Sequence, residues 1–241
     1  MKDMFKVSKS FTPTYIIITL NIVVYAYTAI LSNNFFMIDD SVLSIYGQYN
    51  EFVLNGAYWQ LFSSMFVHVS IMHILGNMFF LLIFGLRAEE IFSTGEYFLI
   101  YFLSGLAGNL LTLLFGPYML SAGASGAIFG LFGACTIYFR RAIGQSIMSA
   151  LVYAFFLLML SASPNVNFLA HFGGLAVGLL MGYGLAATRK TKAGYEYHYS
   201  FATRSSSYGS VKTSTFTLCP SLSLSCFRRK IGAITSITET S

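Results

Sequence analysis

NFLAHFGGLAVGLLMG, residues 167 to 182, sets Gly174, Gly178 and Gly182 four residues apart in an apolar run, with His171 three residues before the first. At about 3.6 residues per turn, these four positions share one helix face. Small residues at that interval let a second helix approach closely inside a membrane. An imidazole within such a run is costly unless it faces a protein interior or a wet cavity. The same pattern occurs upstream in SAGASGAIFG, residues 121 to 130, where Ser125 stands between Gly123 and Gly126 and glycine recurs at Gly130. If the two glycine faces pack together, Ser125 and His171 come within reach of each other.

The rest of the chain fits a membrane bundle. Of its 241 residues, 56% are hydrophobic and 10% charged, too few ionisable groups to solvate an ordinary soluble domain of this size. The net charge of +5 comes from cations scattered between long apolar runs, which speaks for membrane topology and not for a nucleic-acid partner. Cys135 lies in an apolar run and Cys219 and Cys226 in the tail, a spacing that makes neither a disulfide framework nor a metal site. The basic N-terminus is followed by a long apolar stretch without a small-residue cleavage site, so it reads as a retained first span.

Six segments approach the ~20 apolar residues that a bilayer core requires: 14–31, 70–86, 96–115, 123–139, 146–161 and 168–187. The expected fold is therefore all-α, a polytopic six-transmembrane-helix bundle over 14–188, preceded by a cytoplasmic segment, 1–13. A long first loop, 32–69, has an aromatic interfacial part in which Trp59 reads as an anchor. The Ser/Thr-rich tail, 189–241, is expected to be disordered. Lys2, Lys6, Lys9, Arg87, Arg140, Arg141, Arg189, Lys190 and Lys192 all fall on one side of a six-span arrangement, and the opposite connections hold no Lys or Arg. Both termini are then cytoplasmic in an integral protein of the cell membrane.

On that topology spans two, four and six enter from the outer face, which places His73, Asn77, Ser125 and His171 at one depth. A serine hydroxyl becomes a nucleophile when a neighbouring base takes its proton, and His171 is the base available. No Asp or Glu falls within spans four or six or beside their outer ends, so the spacing predicts a Ser-His dyad without a carboxylate. His73 and Asn77, four residues apart, share a face and suit the stabilisation of a developing oxyanion, to which the Ser125 amide at a helix start can add. Phe129, one turn after Ser125, is placed to stack on the imidazole. His68 reads as a loop or interface residue near or above the membrane surface, and Glu89 and Glu90 as a helix-end feature.

Taken together, His73-Ile-Leu-Gly-Asn77, Gly123-Ala-Ser125-Gly126 and Ala170-His171-Phe-Gly-Gly174, in that order on alternate spans, resemble the rhomboid family of intramembrane serine proteases over about residues 10 to 188. The resemblance implies a six-helix core with Ser125 as nucleophile and His171 as general base, and an oxyanion site from His73, Asn77 and the Ser125 amide. It also implies membrane-anchored protein substrates, cut in or near a transmembrane helix, and no metal or cofactor. Two positions depart from the family pattern: Trp59-Gln60 stands where many relatives carry Trp-Arg, and Phe129 where many carry Tyr.

Three other readings compete. A transporter or channel would need polar groups through the full depth, whereas the inner halves MFFLLIFG, IFGLFGAC and LAVGLLMG are apolar. A metalloprotease would need clustered ligands such as H-E-x-x-H, which the chain lacks. A catalytically inactive rhomboid-like binding scaffold is disfavoured by the presence of both dyad residues.

Overall fold

The computed structural model describes residues 12–142, 146–160, 166–189, 198–204 and 211–217. It divides into two units, Met1–Lys190 and Thr191–Ser241. In the first, helix α1 (Pro13–Leu31) opens with proline at its first position, where the missing N–H costs nothing. Next comes a connection carrying short helices α2 (Asp40–Tyr46), α3 (Asn50–Leu54) and α4 (Gln60–Ser63), with strand β1 (Gln48–Tyr49) between the first two. Helices α5 (Ile71–Ile91) and α6 (Thr94–Thr112) then lead to strand β2 (Leu120–Ser121), which pairs antiparallel with β1. Helices α7 (Ser125–Ala142), α8 (Ile147–Leu160) and α9 (Phe168–Thr188) complete the unit.

Local signals fix the helix ends. The Ser70 hydroxyl accepts from the His73 amide at the start of α5, Ser93 and Glu96 form a reciprocal capping box on α6, and the Asn167 side chain accepts from the Ala170 amide at the start of α9. Among the described residues, four helices are long and apolar enough to cross a membrane: Pro13–Leu31, Ile71–Ile91, Thr94–Phe115 and Phe168–Thr188. Helix α7 carries Arg140 and Arg141 in its last turn, and α8 has 14 residues, about 21 Å at 1.5 Å per residue. The six expected segments thus all coincide with helices, while four meet the criterion for a span by themselves. The structure is that of a mostly helical membrane protein.

The glycine faces do meet. A Cβ added to Gly174 would lie 2.6 Å from the Gly126 carbonyl carbon, one on Gly178 would lie 2.6 Å from Gly130 Cα, and one on Gly182 would lie 2.6 Å from Ala134 Cα. Helices α7 and α9 therefore touch backbone to backbone along three turns. Beside this seam the core is filled by Tyr97, Tyr101, Ile100, Leu81, Leu131 and Met65, all buried.

The connection expected as a loop over 32–69 is held by buried amide side chains. Gln48 donates to Asn50 Oδ1 and to the Asn109 carbonyl, both at 2.9 Å, and Asn50 donates to the Thr112 and Gly116 carbonyls at 2.9 and 2.7 Å. Gln60 accepts from the Tyr49 amide at 3.0 Å and donates to the Ser44 and Ile45 carbonyls at 2.8 and 3.1 Å. The position that departs from the family's Trp-Arg pair is thus a neutral anchor using both ends of its amide.

In the second unit, strands β3 (His198–Arg204) and β4 (Val211–Thr217) pair antiparallel from His198↔Thr217 to Arg204↔Val211. Within these two stretches Tyr199, Phe201, Thr203, Val211, Thr213 and Thr215 supply the aromatic and β-branched residues that strands favour. Cys219, Cys226 and most of the remaining tail lie outside the described residues, as do 1–11.

Candidate active site

Ser125 is the first residue of α7, and His171 sits in the first turn of α9, immediately before the glycine seam. Close approach of the two backbones leaves little freedom in the separation of these side chains, and His171 Nε2 lies 2.8 Å from Ser125 Oγ. With the hydroxyl donating, Nε2 presents its lone pair and a neutral imidazole carries its proton on Nδ1. Phe129 stacks on the His171 ring, with centroids 4.5 Å apart and planes at 23°, fixing the plane in which Nε2 points.

The turn before Ser125 is shaped by Gly123, whose φ of 136° is one that side-chain-bearing residues rarely adopt. Its N–H donates to the Ser64 carbonyl at 2.9 Å, tying this turn to the first connection. A Cβ there would lie 3.0 Å from His73 Nε2 and 3.8 Å from Ser125 Oγ, so the missing side chain is what keeps the space between these two groups open. Asn109 braces the same turn from α6, donating to the Leu61 carbonyl at 2.7 Å and to Ser64 Oγ at 2.9 Å.

Ser125, His171, His73, Asn77, Gly123, Gly126 and Phe129 all line one cavity of about 690 Å³, whose remaining wall includes Phe80, Phe84 and Phe132. The sequence-selected residues are therefore brought together without exception. None of the lining residues is acidic. Asn77 commits one amide hydrogen to the His73 carbonyl at 2.9 Å, while its Oδ1 is buried without a partner among the described residues. A polar end and an apolar aromatic end suit a ligand that is itself mostly apolar with one polar linkage.

His68 lies in the connection before α5, as expected; it is fully buried there and packs edge-on against His73, with centroids 5.2 Å apart, a contact that the sequence does not show. Its spacing of five from His73 crosses from loop to helix, so no single periodicity signals the contact. Asn109 was also missed, since an amide in a span reads equally as interhelical glue.

The Rhomboid domain family matches residues 55–188. Among curated relatives, the chain is 34% identical over 167 residues to RHOMBOID-like protein 6, mitochondrial, of Arabidopsis thaliana, covering 67% of this chain and 52% of that protein. It is 30% identical over 194 residues to Rhomboid protease GluP of Bacillus subtilis, covering 76% of this chain and 36% of that protein. It is 29% identical over 171 residues to Rhomboid-like protease 3 of Toxoplasma gondii, covering 66% and 64%. The matched part spans about a third to a half of the length of the Arabidopsis relatives. With more than half of its length matched and its polar residues gathered on the helix ends where the family signature lies, the chain belongs to the rhomboid family.

Proposed function

We propose that this protein is an intramembrane serine endopeptidase that hydrolyses a peptide bond in or near the transmembrane segment of membrane-anchored proteins. The observation that carries the reading is the 2.8 Å contact between Ser125 Oγ and His171 Nε2 inside a cavity also lined by His73 and Asn77. His171 takes the hydroxyl proton as Oγ attacks the scissile carbonyl, then returns it to the leaving amine, and a water repeats the cycle on the acyl-enzyme. His73, Asn77 and the Ser125 amide stabilise the oxyanion, Phe129 holds the imidazole plane, and Gly123 and Gly126 permit the close approach. The reaction assigned to these residues requires no metal or cofactor.

The protease domain in this reading is 14–188, with 1–13 and 189–241 as cytoplasmic flanks. All six long helices span the bilayer, and the site opens near the extracytoplasmic face of the cell membrane. Supporting this is the distribution of cations, with Arg87, Arg140, Arg141 and Arg189 all at the helix ends opposite to those that carry Ser125 and His171. The test is purified wild type and Ser125→Ala in liposomes with a single-span substrate. Cleavage is expected to fall by about 10⁴-fold or more in the variant at unchanged thermal stability. Equal cleavage by both proteins would overturn the assignment.

A further inference from the structure

Two imidazoles stand side by side below the candidate oxyanion site, and the proposed chemistry uses only one. His68 and His73 have ring centroids 5.2 Å apart at 67°, and His68 is wholly buried. His68 Nδ1 lies 3.3 Å from the Phe66 carbonyl. A carbonyl oxygen only accepts, so this Nδ1 carries the proton and Nε2 of the neutral ring is bare. That Nε2 is buried without a partner among the described residues, and so is Nδ1 of His73. On the other side of the His73 ring, Nε2 approaches the space above Gly123 beside Ser125.

We infer that His68 is a positioning residue for His73: its bare Nε2 and the bare Nδ1 of His73 share one bridging water, whose two hydrogens hold His73 in the tautomer that donates from Nε2. The stoichiometry is what favours this arrangement. An oxyanion donor at His73 Nε2 requires the proton on that atom, which leaves Nδ1 as an acceptor. Two buried acceptors cannot satisfy each other, whereas one water offers exactly two donors, and buried waters stand where otherwise unsatisfied polar atoms converge. Burial, with the neighbouring His73 ring, holds the His68 imidazole well below its usual range, at about 3, so it remains the neutral acceptor at any working pH. The inference rests on the proposed role of His73 as an oxyanion donor.

The experiment combines ¹⁵N-histidine NMR of the full chain in nanodiscs with cleavage kinetics of a single-span substrate. The variants are His68→Phe, which keeps a ring but no nitrogen, His68→Gln, which restores an acceptor, and His73→Ala, which also assigns the His73 signals. In wild type, His73 Nε2 should carry the proton and Nδ1 should show the shift of a hydrogen-bonded acceptor. In His68→Phe that displacement is lost, the tautomers mix, and kcat falls about tenfold to a hundredfold, the scale of a weakened oxyanion donor, with KM within about twofold. His68→Gln recovers most of the rate. A proton on His73 Nδ1 in wild type overturns the inference, and so does a His68→Phe protein with unchanged kcat and unchanged His73 shifts. If His68→Phe does not fold, the wild-type spectrum still decides. Should His73→Ala cleave at the wild-type rate, it is the oxyanion reading of His73 that fails; should His73→Ala lose rate while His68→Phe does not, only the positioning role falls.

Discussion

The α7–α9 seam and the amide network beneath residues 48–64 both hold parts of one site, and they do so by opposite means. Along the seam, beyond the Ser125–His171 contact at its end, Gly126, Gly130 and Ala134 face Gly174, Gly178 and Gly182, and position is set by the absence of side chains. In the network position is set by the presence of side chains, with Gln48, Asn50, Gln60 and Asn109 spending their amides on backbone groups of α6 and of the connection. The seam fixes Ser125 against His171, and the network fixes, through Ser64, the turn at Gly123. A shape-based joint fails when an atom is added, while a bonded joint fails when a partner is removed.

That contrast is broken most sharply by Gly174→Val. Its Cβ falls within 2.6 Å of the Gly126 carbonyl carbon, so the atoms in its way are backbone. The expected cost is about 3 kcal/mol or more, above the usual overpacking range because backbone and not a flexible side chain must move. Thermal unfolding in detergent should show a large loss and cleavage should disappear with it. Gly184 on the same helix is the control, since a Cβ there meets nothing within 4 Å. Gly184→Ala is expected within about 0.5 kcal/mol of wild type.

The network is tested from the other side by Gln60→Leu, which keeps the volume roughly and strands the Tyr49 amide and the Ser44 and Ile45 carbonyls. These groups are partly buried, so leaving them unsatisfied puts the loss at about 1 to 2 kcal/mol, read as a lower unfolding temperature. Gln60→Arg sharpens the point. Arginine donates but cannot accept, so the Tyr49 amide loses its partner even in the substitution that restores the family's Trp-Arg pair. Stability equal to wild type in both variants would show that the amide does not anchor the connection.

These two joints differed in how far they could be read from the chain. Spacing alone exposed the seam, because Gly174, Gly178 and Gly182 repeat with the helix period and both partners carry the pattern. Its consequence, the approach of Ser125 to His171, followed from placing both at the same ends of alternate helices. The network left no such trace. Gln48, Asn50 and Gln60 bond to carbonyls of α6 some sixty residues away or of a loop about fifteen away, and a side chain that bonds backbone is indifferent to the identity of its partner. The contact of His68 with His73 left no trace for a related reason: one ring sits on a loop and the other on a helix, and only the fold shows His68 closed in against His73.

Between seam and network stands Phe129, which belongs to neither joint but steadies the ring they deliver. Phe129→Leu removes the stack on His171 while keeping the site apolar. An aromatic pair contributes about 0.5 to 1.5 kcal/mol beyond its buried area, so kcat is expected to fall about two- to tenfold with unfolding temperature little changed. Phe129→Tyr, which keeps the stack, should cleave at close to the wild-type rate.

The smallest effect is expected farthest from the site, at the opposite ends of the same helices. Arg189, just past α9, donates to the Ile91 carbonyl at 2.8 Å and to the Tyr138 hydroxyl at 3.2 Å, and forms an ion pair with Glu96. Its side chain is 34% exposed and that of Glu96 26%, so solvent screens the pair and little of its Coulomb energy survives. Glu96 is in addition occupied as the cap of α6, accepting from the Ser93 amide and hydroxyl, and this bond remains when the arginine is gone. Arg189→Gln should therefore cost about 1 kcal/mol or less, with the difference shrinking further in high salt. Cleavage should stay unchanged, because the seam between this end and Ser125 is packed backbone against backbone and transmits no freedom. A tenfold change in kcat at this distance, with stability intact, would mean that α9 shifts along α7 as a unit, and the seam would then be a sliding contact and not a fixed one.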